Sequence, residues 1–221
     1  MKKTTKILSA VLALVLVAAL SIGGTLAYLS SETGVTNTFT VGKVQIELDE
    51  AKVDETGKAI KGEGAGRVSA NKYKLIPGVV LDKDPTVTVK AGSEECYVRA
   101  LVTINNKDAL DAIFADIEGH ADLNEIFGGL SADWIYERES VKDDATTYEL
   151  RYKEKVPYSS KDTVLAPLFK TVNVPGFFTN ADLESLQRLS INVVAQAIQT
   201  NTFADDDAAW TAFSAETTVA P

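Results

Sequence analysis

The chain of 221 residues contains one cysteine, Cys96, and one histidine, His120. A lone cysteine excludes an intramolecular disulfide, and one Cys with one His cannot supply the usual ligand count of a zinc site. Cys96 therefore reads as a small buried apolar side chain. A Ser-His-Asp or Cys-His arrangement would have to use His120, which stands in the polar run Ile117-Glu118-Gly119-His120-Ala121-Asp122 and reads as a solvated loop residue. Basic residues are also in the minority. The 22 Lys and Arg against 31 Asp and Glu leave a net charge of −9, which repels phosphate backbones and argues against a nucleic-acid partner. With 45% hydrophobic and 24% charged residues, 14 Gly and 6 Pro, the chain is neither collagen-like nor wholly disordered.

Long apolar runs are absent except for one. Residues 7–22, ILSAVLALVLVAALSI, carry no charge; Lys2, Lys3 and Lys6 precede them and Gly23-Gly24-Thr25-Leu26-Ala27 follows. That is the order of regions in a secretory signal peptide. The run is shorter than the roughly 20 residues a comfortable membrane span needs, so an uncleaved anchor is the lesser alternative. No cysteine stands directly after it, which excludes lipid attachment of the lipoprotein kind. Cleavage between Ala27 and Tyr28 is expected, giving an exported, unanchored chain whose net charge falls from −9 to −12 as the three lysines leave. Membrane contact is then expected only through the uncleaved signal peptide.

The remainder reads as mostly β. Residues 38–48 alternate, with Val44, Ile46 and Leu48 on one side and Lys43, Gln45 and Glu47 on the other, as a half-buried strand does. Residues 49–71 are charged and glycine-rich and read as a long exposed hairpin loop. Gly62-Glu63-Gly64-Ala65-Gly66 does not separate a strand from a helix, so it is not a phosphate cradle. Leu75-Ile76-Pro77-Gly78 reads as a turn before a Thr/Val strand at 86–90. In residues 96–104, Cys96, Val98, Ala100, Val102 and Ile104 share one face. Helical spacing is expected over 107–116 and 122–127, strands over 133–137 and 147–152 around a polar loop near 142–144, and a strand over 168–175. A helical turn at 181–188, the longest strand at 189–199 and a short helix at 205–213 complete the reading, with Trp210 and Phe213 spaced to pack together. About seven to nine strands with small helical insertions predict an antiparallel jelly-roll-like β-sandwich. The expected organisation is a signal peptide at 1–27, a flexible N-terminal segment at 28–41, and a single domain over 38–221.

The stretch Gly23-Gly24-Thr25-Leu26-Ala27-Tyr28-Leu29-Ser30, followed by Asn37-Thr38-Phe39-Thr40-Val41-Gly42-Lys43-Val44, resembles the leader and first strand of the TasA/camelysin (CalY) family. Leu29 and Ser31 depart from the usual aromatic and acid of that family. The Pro77-Gly78 turn before the Thr/Val strand resembles its second block, and the resemblance extends less specifically through residues 147–210. It implies a jelly-roll, processing by a SipW-type signal peptidase, and secretion to the matrix or surface of a Gram-positive bacterium. It also implies assembly into biofilm-matrix fibres by N-terminal strand donation, with other matrix proteins as further partners. Metalloprotease activity described for camelysin-type relatives does not transfer, because the chain has no His-Glu-x-x-His and one histidine.

Other chemistry finds little support in the residues. Asp205-Asp206-Asp207 and Asp143-Asp144 lack the alternating ligands of a calcium loop, and the former suits a helix start. No motif selects a carboxylate pair for glycoside hydrolysis. The expectation is a non-enzymatic protein with no metal or cofactor. Its candidate donor strand carries Tyr28, Leu29, Val35, Phe39 and Val41 as apolar anchors. Two readings of that segment stand: donation to a neighbour, or an ordinary first strand paired at home. A monomeric secreted adhesin or ligand-binding module is the alternative function.

Overall fold

The computed structural model describes residues 30–33, 39–41, 44–115 and 123–219, and over these the chain is mainly β, with antiparallel sheets and few helices. The largest sheet has six strands in the order β2 (Phe39–Val41), β1 (Ser30–Thr33), β13 (Ser190–Gln199), β7 (Cys96–Asn105), β10 (Ala145–Tyr152) and β9 (Trp134–Lys142). A four-stranded sheet runs β11 (Thr163–Val164), β6 (Thr86–Val89), β3 (Ile46–Ala51) and β4 (Arg67–Val68). A three-stranded one runs β5 (Val80–Asp82), β12 (Thr171–Asn173) and β8 (Phe127–Gly128).

The alternation in β7 explains where the core lies. Cys96, Val98, Ala100, Val102 and Ile104 all turn inward and are buried. They join Val193, Ala195 and Ala197 of β13, Tyr148 and Leu150 of β10, Ile46, Val87 and Val89 of the four-stranded sheet, and Val44 just before β3 in one apolar cluster. Each Val, Leu or Ile among them contributes about 1.5–3 kcal/mol when fully buried, so this shared interior is what holds the sheets against each other. The opposite face of β7 is covered too, by helix α4 (Asp206–Val219), whose Trp210 and Phe213 pack on Tyr97 and Ile198. As expected from their spacing, Trp210 and Phe213 meet edge to face, with centroids 5.7 Å apart.

The smaller elements follow local rules. Helix α1 (Lys107–Phe114) buries Leu110 and Phe114, and α2 (Leu123–Ile126) buries Leu123 and Ile126. Helix α3 (Asn180–Ser185) starts with a capping box, in which Thr179 Oγ1 accepts from Asp182 N and the Asp182 carboxylate accepts from Thr179 N.

Four expectations need correction. Residues 38–48 are not one strand: β2 ends at Val41 and β3 begins at Ile46 in a different sheet. Residues 49–71 are not simply an exposed loop, because β3 continues to Ala51, β4 pairs back on Glu50 and Ala51, and Val53 bridges Ala59. The region around 142–144 shrinks to a two-residue turn between long strands, with Asp143 at φ 54, a left-handed conformation that Asp tolerates. Finally, only residues 171–173 of the stretch 168–175 form a strand; Leu168 and Phe169 plug the core instead, Phe169 stacking on Phe127 at 4.1 Å.

Candidate functional site

Strand β13 is held on one side along its whole length by β7, from Ser190 opposite Asn105 to Gln199 opposite Cys96. Among the described residues its other side is paired at one end. There β1 pairs Ser30 with Ile198, Ser31 with Ala197, Glu32 with Gln196 and Thr33 with Ala195. Among the described residues no strand pairs with this side of residues 190–194. An unpaired stretch of strand leaves main-chain donors and acceptors available to an added strand, the usual liability of a sheet edge.

Beside this edge lies a chain of cavities between the sheets, all sharing Ile191. One of about 80 Å³ reaches Leu48, Glu50, Pro85 and Val193. The next, about 230 Å³, is walled by Tyr73, Leu75, Leu81, Val172 and Leu189. A third of about 30 Å³ leads inward to Leu110 and Phe178. The alternation of β13 explains the position, since Ile191 and Val193 face the same side as the buried Ala195 and Ala197.

Where the first two cavities meet, the trough has a polar waist built on Glu50, Lys83 and Asn71. Glu50 is 4% exposed, pairs with the Lys83 ammonium, and accepts from Asn71 N at 2.9 Å and Asn71 Nδ2 at 3.0 Å. Lys83 Nζ also lies 5.4 Å from the Tyr73 ring centroid. Burial, reinforced by the Glu50 charge, pushes the Tyr73 phenol well above its ordinary range, and its hydroxyl donates to Asp82 O at 3.0 Å. The rim is pinned by Arg67, which contacts Asp49 at 2.6 Å and Asp84 at 2.9 Å. Strand β4 and its loop are thereby fastened next to the trough.

A second cluster lies on the outer face under α4. Arg99 Nε donates to Gln196 Oε1 at 2.7 Å, its guanidinium sits 4.3 Å from the Trp210 ring, and Glu149 lies 3.4 Å away. Glu149 also pairs with Arg151 at 3.0 Å and Arg138 at 2.7 Å, and Arg151 reaches Asp206 and Asp207. Burial alone would raise the Glu149 carboxyl, but the Arg151 hydrogen bond and the Arg99 and Arg138 charges hold it below the ordinary range. The Asp205–Asp207 run therefore clasps Arg151 as well as starting a helix, where Asp205 Oδ1 accepts from Ala208 N at 2.8 Å. These are structural ties, with every named charge paired.

Of the residues singled out in the sequence, Ala27, Tyr28, Leu29, Val35 and His120 lie outside the described residues. Phe39 and Val41 belong to β2, which pairs with β1 through Phe39 opposite Glu32 and Val41 opposite Ser30. The four residues of β1 are thus paired at home. Cys96 is fully buried, and burial followed by the Glu95 charge pushes its thiol up to about 12. The sequence reading missed the trough entirely, because its walls come from five separate segments. Among the described residues no helix is long and apolar enough to cross a membrane. No family model, curated protein or solved structure matches the chain.

Proposed function

We propose that this chain is a secreted structural protein that assembles head to tail into matrix fibres, each copy lending its N-terminal strand to the β13 edge of the next. In this reading a signal peptidase of the SipW type cuts near Ala27, residues 28–41 are the donor, and the two larger sheets are the faces of a jelly-roll-like sandwich. The observation that carries it is the short ladder: among the described residues β1 pairs only with residues 195–198 of β13, and an apolar trough continues beside residues 189–191. Exchange of such a strand between identical copies is a heterologous contact that does not close, so it propagates as a filament. The leader motif and the scarcity of catalytic side chains in the sequence support the same reading.

The test compares the secreted chain with a version lacking residues 28–37 by electron microscopy. Fibres from the first and none from the second are expected; equal fibres from both, or from neither, overturn donation.

The alternative, a monomeric secreted ligand-binding module, draws on a different feature. A cavity of about 360 Å³ opens beside β9, lined by Trp134, Tyr136, Tyr148, Leu150 and Leu130. A protein that stays monomeric while Tyr136→Ala abolishes adhesion would favour that reading.

A further inference from the structure

The polar waist of the trough brings together three groups that can react with one another. Glu50 lies on β3, Asn71 in the irregular stretch after β4, and Lys83 directly after β5, where its backbone N donates to Lys170 O at 3.0 Å. The Glu50 carboxylate gives one oxygen to each neighbour: Oε2 takes the Lys83 ammonium, and Oε1 accepts from Asn71 Nδ2 at 3.0 Å. The Lys83 side chain is 12% exposed, and its Nζ lies 5.4 Å from the Tyr73 ring centroid. Among the described residues, the surface pairs Lys90–Asp162 and Lys153–Asp133 carry no side-chain amide on the carboxylate.

The Asn71 amide is oriented for attack. Its Nδ2 faces two acceptors, Glu50 Oε1 and Ala51 O at 2.8 Å, while its Oδ1 accepts from Val53 N at 3.1 Å. Exchanging O and N would set oxygen against oxygen and N–H against N–H, so the partners fix the orientation. The Val53 N–H thus sits where negative charge gathers when a nucleophile adds to Asn71 Cγ.

We propose that the chain joins Lys83 to Asn71 by a side-chain amide bond that it forms on itself, with Glu50 carrying the protons. A proton passes from the Lys83 ammonium to Glu50, which leaves both groups neutral and frees the Nζ lone pair. Nζ adds to Asn71 Cγ, and the charge that develops on Oδ1 is met by the Val53 N–H. Glu50 delivers its proton to Nδ2 and takes the next one from Nζ as the Cγ–Nδ2 bond breaks. One N–C bond forms, one breaks, ammonia leaves and Glu50 ends protonated; nothing is oxidised or reduced. The cavities of about 80 and 230 Å³ both reach Lys83 and Asn71 and give the ammonia a way out. Holding amine and carbonyl on one carboxylate makes the step intramolecular.

A chain with one cysteine cannot staple itself with a disulfide. This bond instead closes a loop from Asn71 to Lys83 and ties the wall of the trough to the end of β5. It forms within one copy, so it stands apart from assembly.

Mass spectrometry of the purified, folded protein tests it. The intact chain is expected to weigh less than its processed sequence by one ammonia. Trypsin is expected to fail after Lys83 and to release peptide 68–72 linked to peptide 75–90 as one branched species. Lys83→Arg, which keeps a cation beside Glu50, and Glu50→Gln, which keeps the shape, are each expected to show the full mass and no branched peptide, with circular dichroism reporting whether they fold. A folded wild-type chain of full mass, with peptides 68–72 and 75–83 free, overturns the bond. Loss of ammonia without a branched peptide marks a ring closed on the backbone at Asn71 and overturns it as well. A branched peptide that persists in folded Glu50→Gln overturns the part given to Glu50. Should Glu50→Gln not fold, the wild-type protein and Lys83→Arg still decide whether the bond exists.

Discussion

Thr33 stands opposite Ala195, and it is the last residue of β1 to find a partner on β13. Four paired residues are few compared with the usual strand of about five to six, so the β2–β1 pair at the end of the sheet is tied to β13 by a short ladder. The rest of β13 is anchored from its other side by all ten pairs with β7. Loss of β1 therefore leaves the acceptor strand in place, which is what an exchangeable edge requires.

Glu149 is the centre of a charge cluster that the fold cannot leave half made. It is 4% exposed and faces Arg99, Arg151 and Arg138. Glu149→Ala leaves the Arg99 guanidinium buried with no carboxylate beside it and is expected to cost about 3–5 kcal/mol. Urea unfolding followed by circular dichroism measures this as a lowered midpoint with an unchanged slope.

Acid should expose the same cluster. The Glu149 carboxyl is held below its ordinary value of 4.5, so its contribution is present above that pH and is lost as the pH falls through its lower folded value. Alkali acts on Cys96 in the other direction. Its thiol is raised from 9.0 to about 12, so the neutral form favours the fold below pH 9 and that contribution fades as the pH climbs from 9 toward 12. Thermal midpoints across pH 3–11 should hold through neutrality and fall at both ends. A Glu149→Gln protein should show a smaller further loss between pH 4.5 and 3, because it has no carboxylate there to protonate.

The same thiol should be inert in the native protein. Cys96 is fully buried and un-ionised at pH 8. Iodoacetamide at pH 8 is expected to label it only in denaturant; rapid native labelling, read by mass spectrometry, would show that the strand opens.

Trp210 is the anchor of α4. It is 2% exposed, stacked against Arg99 and packed on Phe213, and its Nε1 has no hydrogen-bond partner. Trp210→Ala is expected to cost about 3–5 kcal/mol through the cavity it leaves. Trp210→Phe should cost clearly less, because the unpartnered N–H disappears along with part of the ring. Denaturation of the two variants side by side gives the comparison.

Gly57 sets the wall of the trough. Its φ of +78 is left-handed, and a Cβ there would sit 2.5 Å from Leu81 Cδ2. Gly57→Ala is expected to destabilise by at least about 1 kcal/mol. It should also displace Leu81 from the larger cavity, seen as altered methyl shifts in NMR spectra.

Most of the β character was legible in the order of residues, because alternation and turn chemistry are local. The inward row Cys96, Val98, Ala100, Val102 and Ile104 followed from period two alone, and so did the packing of Trp210 on Phe213 from helical spacing. What a short window cannot contain is long-range partnering. The same alternation that runs through residues 38–48 is compatible with one strand or with two strands in different sheets, and only the competition between β1, β6 and the core separates β2 from β3.

Sequence by itself determined that this chain has one thiol, one imidazole, one long apolar run and many short β-forming segments, since each of these is a matter of which side chains exist and how they repeat. Tertiary structure alone decided that Glu50, Lys83, Asn71, Tyr73 and Ile191 meet around one trough, and that among the described residues the pairing of β1 on β13 stops at Ala195 beside it. Those residues are as much as 141 positions apart, between Glu50 and Ile191. Their meeting depends on which strand edges find each other as the shared core closes, a non-local contest that no periodicity records.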